Sequence, residues 1–169
     1  MADTRILTFT DKKKLEEQLA QLNEEKKRVA EEIQIARGFG DLSENAEYDA
    51  AKAKEAEVYG NIARIEAELR TATFVDDSVA DTTTAALGTV VRVLDMEYNE
   101  EDEYTLVGFT EADASKLFIS NESPIGMALI GKGDPGKPDY VPPAKVGDIV
   151  EADTPGGIIK LKVLSIKKR

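Results

Sequence analysis

Two stretches of apolar residues at heptad spacing constrain the fold of this chain more than any other feature of its sequence. In each stretch the apolar residues lie alternately four and three apart, with a charged residue, Lys26 or Glu55, at one site. Because that spacing lines up apolar side chains along one helix face, it predicts two long helices. The first stretch comprises Leu15, Leu19, Leu22, Val29, Ile33 and Ala36, and the second comprises Ala51, Val58, Ile62, Ile65 and Leu69.

Few residues separate the two predicted helices, so we expect them to pack against each other as an antiparallel coiled-coil hairpin. Thr10, before the acidic Asp11, is the expected N-cap of the first helix, and Gly38 is expected to end it. A helix from Asp11 to Arg37 would be about 40 Å long, at about 1.5 Å per residue. Residues 38–49 would then form the tip of the hairpin.

The sequence changes character after the second predicted helix. Residues 77–85 are expected to be a linker between an N-terminal domain, 1–76, and a C-terminal domain, 86–169. In the C-terminal part, short segments rich in Val and Ile alternate with turn residues, which predicts a small antiparallel sheet. These segments are GTVVRVLD, EYTLVGF, KLFIS, GDIVEAD and GIIKLKVLSI.

One short helix is predicted among these strands. Ser123 is its expected N-cap, Pro124 its first residue and Gly131 its end, with Ile125 on the buried face. The predicted fold class is therefore α+β, with a helical hairpin followed by an antiparallel sheet that carries one short helix.

Composition excludes several kinds of function. The 169 residues contain no cysteine and no histidine, which excludes thiol chemistry, the common zinc sites and imidazole acid–base catalysis. The formal charge of −11 argues against general nucleic-acid binding, because phosphate contacts depend on Lys and Arg. The sequence has neither an apolar run of about 18 residues nor a signal-peptide pattern, so we expect a cytoplasmic protein with no membrane partner.

The predicted tip concentrates negative charge. In ARGFGDLSENAEYDAAK, residues 36–52, four carboxylates occur with no basic residue between Arg37 and Lys52. Two of them, Asp41 and Glu44, are three residues apart, and side chains at that spacing share one face of a helical turn. Carboxylate oxygens suit Mg²⁺, which takes one or two protein carboxylates and completes its shell with water and phosphate oxygens. Two carboxylates alone would bind this ion weakly.

A helix cap explains the same two acids without any chemistry. Asp41 as N-cap and Glu44 at the third helical position would fit a capping pattern, and acids at a helix start each gain about 0.3–1 kcal/mol from the helix dipole. Spacing alone favours this interpretation. Tyr48 is expected to begin the second apolar face, while Arg37 and Lys52 flank the acids as solvated helix residues.

Longer motifs give a family resemblance. In chain order, GDLSENAEYDAAK (40–52), SNESPIGMALIGK (120–132), KVGDIVE (145–151) and TPGG (154–157) resemble motifs of the GreA/GreB family of bacterial transcript cleavage factors. The similarity covers almost the whole chain. It implies an FKBP-like fold for the C-terminal domain, and a transcription elongation factor that is not an enzyme by itself.

The resemblance also implies a partner and a mechanism. The C-terminal domain would dock on RNA polymerase at the mouth of the secondary channel, with Ser123, Pro124 and Ile125 in the contact. The hairpin would extend to the active centre, where Asp41 and Glu44 would help the carboxylates of the polymerase hold a second Mg²⁺. The polymerase would then cut backtracked RNA and resume elongation.

Further expectations concern the surroundings of the tip and the state of the protein. By the same resemblance, Arg37 and Lys52 belong to a basic patch that contacts the 3′ end of the nascent RNA. The Mg²⁺ would be held mostly by the polymerase, and we expect the chain alone to bind no cofactor stably. We also expect a monomer.

Two alternative functions are compatible with the same scaffold. One is a transcription inhibitor that occupies the channel without stimulating cleavage, although such relatives tend to have an altered tip and GDLSEN is intact here. The other is a plain coiled-coil adaptor or an FKBP-type peptidyl-prolyl isomerase. Few aromatic residues are present to line an isomerase pocket, so we expect no isomerase activity.

Overall fold

The computed structural model describes residues 4–40 and 45–169, and it confirms the predicted α+β class. The two long helices are α1, Phe9–Arg37, and α2, Ala46–Thr71. A short third helix, α3, spans Pro124–Ile130. Within the described residues, none of the helices combines the length and apolar character needed to cross a membrane.

The chain divides into two compact units. The first consists of Lys12–Thr73 together with the N-terminal residues up to Arg5, and the second consists of Ile6–Asp11 together with Phe74–Arg169. The first turn of α1 therefore belongs to the second unit, and the rest of the helix belongs to the first. The domain boundaries expected from the sequence, at 76 and 86, stay predictions.

The apolar residues at heptad spacing form the core of the hairpin. Each apolar side chain buried there contributes on the order of 1.5–3 kcal/mol, which offsets the ordering of the two helices. At the interrupted site of α1, the Nζ of Lys26 lies 4.7 Å from the ring centroid of Tyr59 on α2, so a cation–π contact replaces apolar packing. The buried cluster comprises Val29, Ile33, Ala51, Val58 and Ile62, with Leu19, Leu22 and Tyr48 packed against it.

The start of α1 differs from the prediction. The helix begins at Phe9, so the expectation that Thr10 is its N-cap is wrong. Instead, the Thr8 hydroxyl accepts a hydrogen bond from the Asp11 N–H at 2.9 Å, and Oδ2 of Asp11 accepts one from the Thr8 N–H at 2.9 Å. This reciprocal capping box satisfies two backbone donors that the first turn leaves free.

Short apolar segments form seven strands within the part of the chain that the structure describes. Two of them, β1 (Ile6–Thr8) and β2 (Thr73–Val75), form a small sheet of their own that the sequence analysis did not predict. The other five form one sheet in the order β5, β4, β3, β7, β6. They are β3 (Thr89–Asp95), β4 (Glu101–Val107), β5 (Phe118–Ser120), β6 (Ile149–Thr154) and β7 (Gly157–Lys168).

One pair in the larger sheet departs from the expected antiparallel arrangement. β3 pairs antiparallel with β4 and β7, and β6 pairs antiparallel with β7, but β4 and β5 run parallel. Residues 108–117, which join β4 to β5, contain two 3₁₀ turns, Phe109–Glu111 and Ala114–Lys116. This connection is long enough to return the chain to the same end of the sheet, which an antiparallel hairpin turn would not do.

Helix α3 packs on the sheet as the sequence predicts. Ser123 is its N-cap, Pro124 is its first residue and Gly131, at φ 83°, follows its last residue. Leu129 is fully buried. It belongs to an apolar cluster with Val91, Val93, Tyr104, Leu106, Leu161 and Val163 of the sheet and with Ala85 and Ala144.

Candidate functional site at the hairpin tip

The end of α1 continues as a hydrogen-bonded turn. The N–H of Gly38 donates to the Ile35 carbonyl at 3.0 Å, that of Phe39 to the Ala36 carbonyl at 3.2 Å, and that of Gly40 to the Arg37 carbonyl at 3.4 Å. Gly40 has φ 102°, a conformation that favours glycine because it has no Cβ. The sequence Gly38-Phe39-Gly40 therefore ends the helix in a defined turn.

Asn45 joins the two helices on the other side of the tip. Its Oδ1 accepts a hydrogen bond from the Tyr48 N–H at 3.0 Å, which caps α2. Its Nδ2 donates to the Ala36 carbonyl at 2.6 Å, near the end of α1. Because Asn has both an acceptor and a donor, one side chain caps the second helix and ties it to the first. The sequence analysis did not predict this role.

The two acids that sequence analysis singled out, Asp41 and Glu44, lie outside the described residues. Helix α2 begins at Ala46 and its N-cap is Asn45, so the interpretation in which Asp41 caps this helix is wrong. Glu47, an acid in the first turn of α2, is exposed. The negative charge of the tip therefore continues into α2.

The chemistry of these acids suits a hard divalent cation, since both offer oxygen ligands. Within residues 4–40 and 45–169, however, no three acidic, histidine or cysteine side chains come together in a way that could hold a metal ion. Asp41 and Glu44 lie outside these residues, and their binding of a metal ion stays a prediction.

Two cations flank the tip. Arg37 is exposed in the last turn of α1, and Lys52 is exposed on α2. Lys52 forms an ion pair with Glu55. The hydrogen bond to Glu55 and the negative charge of that residue raise the pKa of Lys52. The contact of Arg37 and Lys52 with RNA stays a prediction.

Tyr48 has the structural role predicted for it. Its side chain is half-buried and packs against the apolar cluster of the hairpin, so it begins the second apolar face.

The residues expected to dock a partner also make hydrogen bonds and apolar contacts within the second unit. The Ser123 hydroxyl accepts a hydrogen bond from the Gly126 N–H at 3.1 Å and donates to the Ser120 carbonyl at 2.8 Å. Pro124 is half-buried, and Ile125 packs against the apolar core. A Cβ on Gly126 would lie 1.8 Å from the Ser120 carbonyl oxygen. The Ser-Pro-Ile-Gly sequence is therefore explained by local structure, and its docking role stays a prediction.

Two family models together match most of the chain. The family model "Transcription elongation factor, N-terminal" (GreA_GreB_N) matches residues 5–73, and "Transcription elongation factor, GreA/GreB, C-term" matches residues 80–135. The chain belongs to the GreA/GreB family of transcription elongation factors. The first match spans the two long helices and the second spans much of the sheet, so the family accounts for both units.

Curated relatives show that the similarity extends over the full length. Transcription elongation factor GreA of Thermoanaerobacter pseudethanolicus is 48% identical over 99% of this chain and 100% of that protein. GreA of Acetivibrio thermocellus is 46% identical over 96% of both chains. Within the family, this chain is a GreA-type transcription elongation factor.

A solved structure of a more distant homologue was also found. Gfh1 of Thermus aquaticus is 26% identical over 98% of this chain and 99% of that chain, with a TM-score of 0.42. A TM-score below 0.5 gives no basis for transferring geometry from that structure to this chain.

Proposed function

We propose that this GreA-type factor acts inside RNA polymerase, where its hairpin tip stimulates cleavage of backtracked RNA and releases arrested complexes. The observation that carries the proposal is the full-length similarity to GreA proteins, combined with an intact GDLSEN motif between the two helices.

The dimensions of the helices support insertion into a channel. Helix α1 has 29 residues and α2 has 26, which correspond to about 43 Å and about 39 Å at about 1.5 Å per residue. A pair of packed helices is narrow compared with a globular domain. It could therefore enter a channel that excludes the C-terminal domain.

Asp41 and Glu44 would supply two of the ligands for a shared Mg²⁺. The polymerase would hold most of the coordination shell, because two carboxylates alone would bind the ion weakly. A cation in that position supplies charge stabilisation and lowers the pKa of a bound water for phosphodiester hydrolysis. The role of this chain is to place the two carboxylates, and we expect neither independent catalysis nor stable metal binding by the chain alone.

The surroundings of the tip would position the RNA. Arg37 and Lys52 would contact phosphates near the 3′ end of the nascent RNA, which offsets repulsion between those phosphates and the tip acids. In the second unit, the corner at Ser123, Pro124 and Ile125 would dock on the polymerase. A factor of this kind acts as a monomer in the cytoplasm, where its partner works.

The experiment that tests the proposal uses stalled, backtracked RNA polymerase complexes with RNA labelled at the 3′ end. We expect the added protein to release short labelled fragments and to restore elongation. Slower nucleotide addition with no released fragments would contradict the proposal and would assign the chain to the channel-occupying inhibitors instead.

A further inference from the structure

Phe39 is the most exposed phenylalanine in the described part of the chain. Its side chain is 67% exposed, in the turn formed by residues 38–40 at the end of α1. Ile35, one helical turn earlier, is 63% exposed. Neither side chain contributes to the buried cluster of the hairpin, so packing within the hairpin does not explain them.

The backbone around Phe39 is fixed. The Phe39 N–H donates to the Ala36 carbonyl at 3.2 Å, and the same carbonyl accepts the Nδ2 of Asn45 at 2.6 Å. Hydrogen bonds from Gly38 and Gly40 hold the residues on either side. An aromatic ring on an anchored backbone loses less conformational freedom when it binds a ligand than one on a flexible loop.

A cation near Phe39 suits a ligand that combines a planar base with a phosphate. Arg37 is exposed, and within the described residues it makes no ion pair. Proteins bind single-stranded nucleic acid with aromatic rings that stack on bases and cations that contact phosphate. Arg37 and Phe39 supply one group of each kind within three residues.

We propose that Phe39 and Arg37 form a subsite for one nucleotide of single-stranded RNA, with the ring stacked on the base and the guanidinium paired with a phosphate. This inference rests on the proposed function, which brings the tip to the extruded 3′ segment of the RNA. It adds a base-stacking residue to the phosphate contacts already expected of Arg37 and Lys52.

The test substitutes the ring in the full-length protein. Phe39→Leu keeps an apolar side chain but removes the aromatic face, and Phe39→Trp enlarges that face. Phe9→Leu is the matched control, because Phe9 is also exposed, at 50%, at the other end of α1. Cleavage is measured at subsaturating protein on backtracked complexes whose extruded nucleotide is either a purine or a pyrimidine.

We expect Phe39→Leu to slow cleavage by about 5-fold or more, from the strength of base stacking. The loss should be larger for an extruded purine, while Phe39→Trp and Phe9→Leu should match or exceed the wild-type rate. A wild-type cleavage rate with Phe39→Leu would overturn the proposal. So would an equal loss of cleavage rate in Phe39→Leu and Phe39→Trp, whether the extruded base is a purine or a pyrimidine. Equal losses would indicate contact with a protein surface of the polymerase.

A second measurement separates this inference from the proposed function. With 2-aminopurine as the extruded RNA nucleotide, stacking on Phe39 should change the fluorescence when wild-type protein is added, and much less with Phe39→Leu. If that change occurs without any cleavage, the nucleotide subsite stands and the proposed function fails. If wild type and Phe39→Leu change the fluorescence equally, the subsite is contradicted whether or not cleavage occurs.

Discussion

Single side chains with two hydrogen-bonding roles anchor the start of α1 and connect the end of α1 to the start of α2. At the tip, Asn45 caps α2 and also donates to the end of α1. At the start of α1, the buried carboxylate of Asp11 accepts from the backbone of Thr8 and from both the N–H and the hydroxyl of Thr110. In each case the chemistry of one particular side chain is required, so conservative substitutions should separate the two roles.

Asn45 can be tested with a pair of substitutions. Asn45→Asp keeps an oxygen to cap α2 but replaces the donor to the Ala36 carbonyl with an acceptor. Asn45→Ala removes both contacts, and should cost about 1 kcal/mol for the cap and about 0.5–1.5 kcal/mol for the second hydrogen bond. Hydrogen exchange of the first amides of α2 is the measurement. We expect protection close to wild type with Asp and lost with Ala; equal loss in both would mean that the cap contributes nothing.

Asp11 should be sensitive to loss of one oxygen. Oδ2 accepts from the Thr8 N–H at 2.9 Å and Oδ1 from the Thr110 N–H at 3.0 Å. In Asp11→Asn, either orientation of the amide therefore places an NH₂ against a backbone N–H in a buried site.

We expect Asp11→Asn to destabilise the second unit by about 1–3 kcal/mol. Thr110→Val, which removes only the hydroxyl that donates at 2.6 Å, should cost about 0.5–1.5 kcal/mol. Hydrogen exchange of the Thr8 and Thr110 amides reports both effects. Wild-type protection in Asp11→Asn would show that the buried carboxylate is not needed.

Among the secondary-structure elements, α2 contains a glycine that its packing does not require. Gly60 lies in the interior of the helix and is exposed, and a Cβ placed on it would meet no atom within 4 Å. Glycine in a helix interior is less favourable than alanine by about 0.5–1 kcal/mol, because more backbone freedom is lost on folding.

Gly60→Ala should therefore stabilise the hairpin by about 0.5–1 kcal/mol. Ala63→Gly, at an exposed position one turn along the same helix, is the matched control and should destabilise it by a similar amount. Urea denaturation followed by the helical circular dichroism signal measures both. A decrease in stability with Gly60→Ala would reveal a conformational requirement at this position.

In the molecule as a whole, an element was predictable where its sequence pattern extends over many residues or includes specific capping residues. Heptad spacing indicated both long helices, and Ser123, Pro124 and Gly131 marked α3 correctly. The strands β1 and β2 were missed because three residues are too few to show an alternating pattern. The parallel pairing of β4 with β5 was missed because it depends on the 3₁₀ turns in residues 108–117, which have no strong sequence pattern.

The tip was predictable in composition but not in detail. The spacing of Asp41 and Glu44 fits a capping pattern and gives no indication of Asn45. In the structure α2 begins at Ala46, and Asn45 is its N-cap. The second contact of Asn45, with the Ala36 carbonyl, depends on the close approach of the two helices. No local sequence pattern predicts it.

The proposed function depends on two carboxylates, Asp41 and Glu44, that lie between the two long helices in sequence and would share a metal ion with a partner. The most direct test measures the rate of RNA cleavage in backtracked polymerase complexes at saturating protein. It compares wild type with Asp41→Asn/Glu44→Gln. The control is Glu47→Gln/Asp49→Asn, which removes the same charge from two exposed acids in the first turn of α2.

We expect the Asp41/Glu44 variant to lower the cleavage rate by about 100-fold or more, since it removes groups that stabilise charge in the transition state. The Glu47/Asp49 variant should stay within a few-fold of wild type. Undiminished cleavage without Asp41 and Glu44, or an equal loss in both variants, would contradict a specific role for the two tip carboxylates.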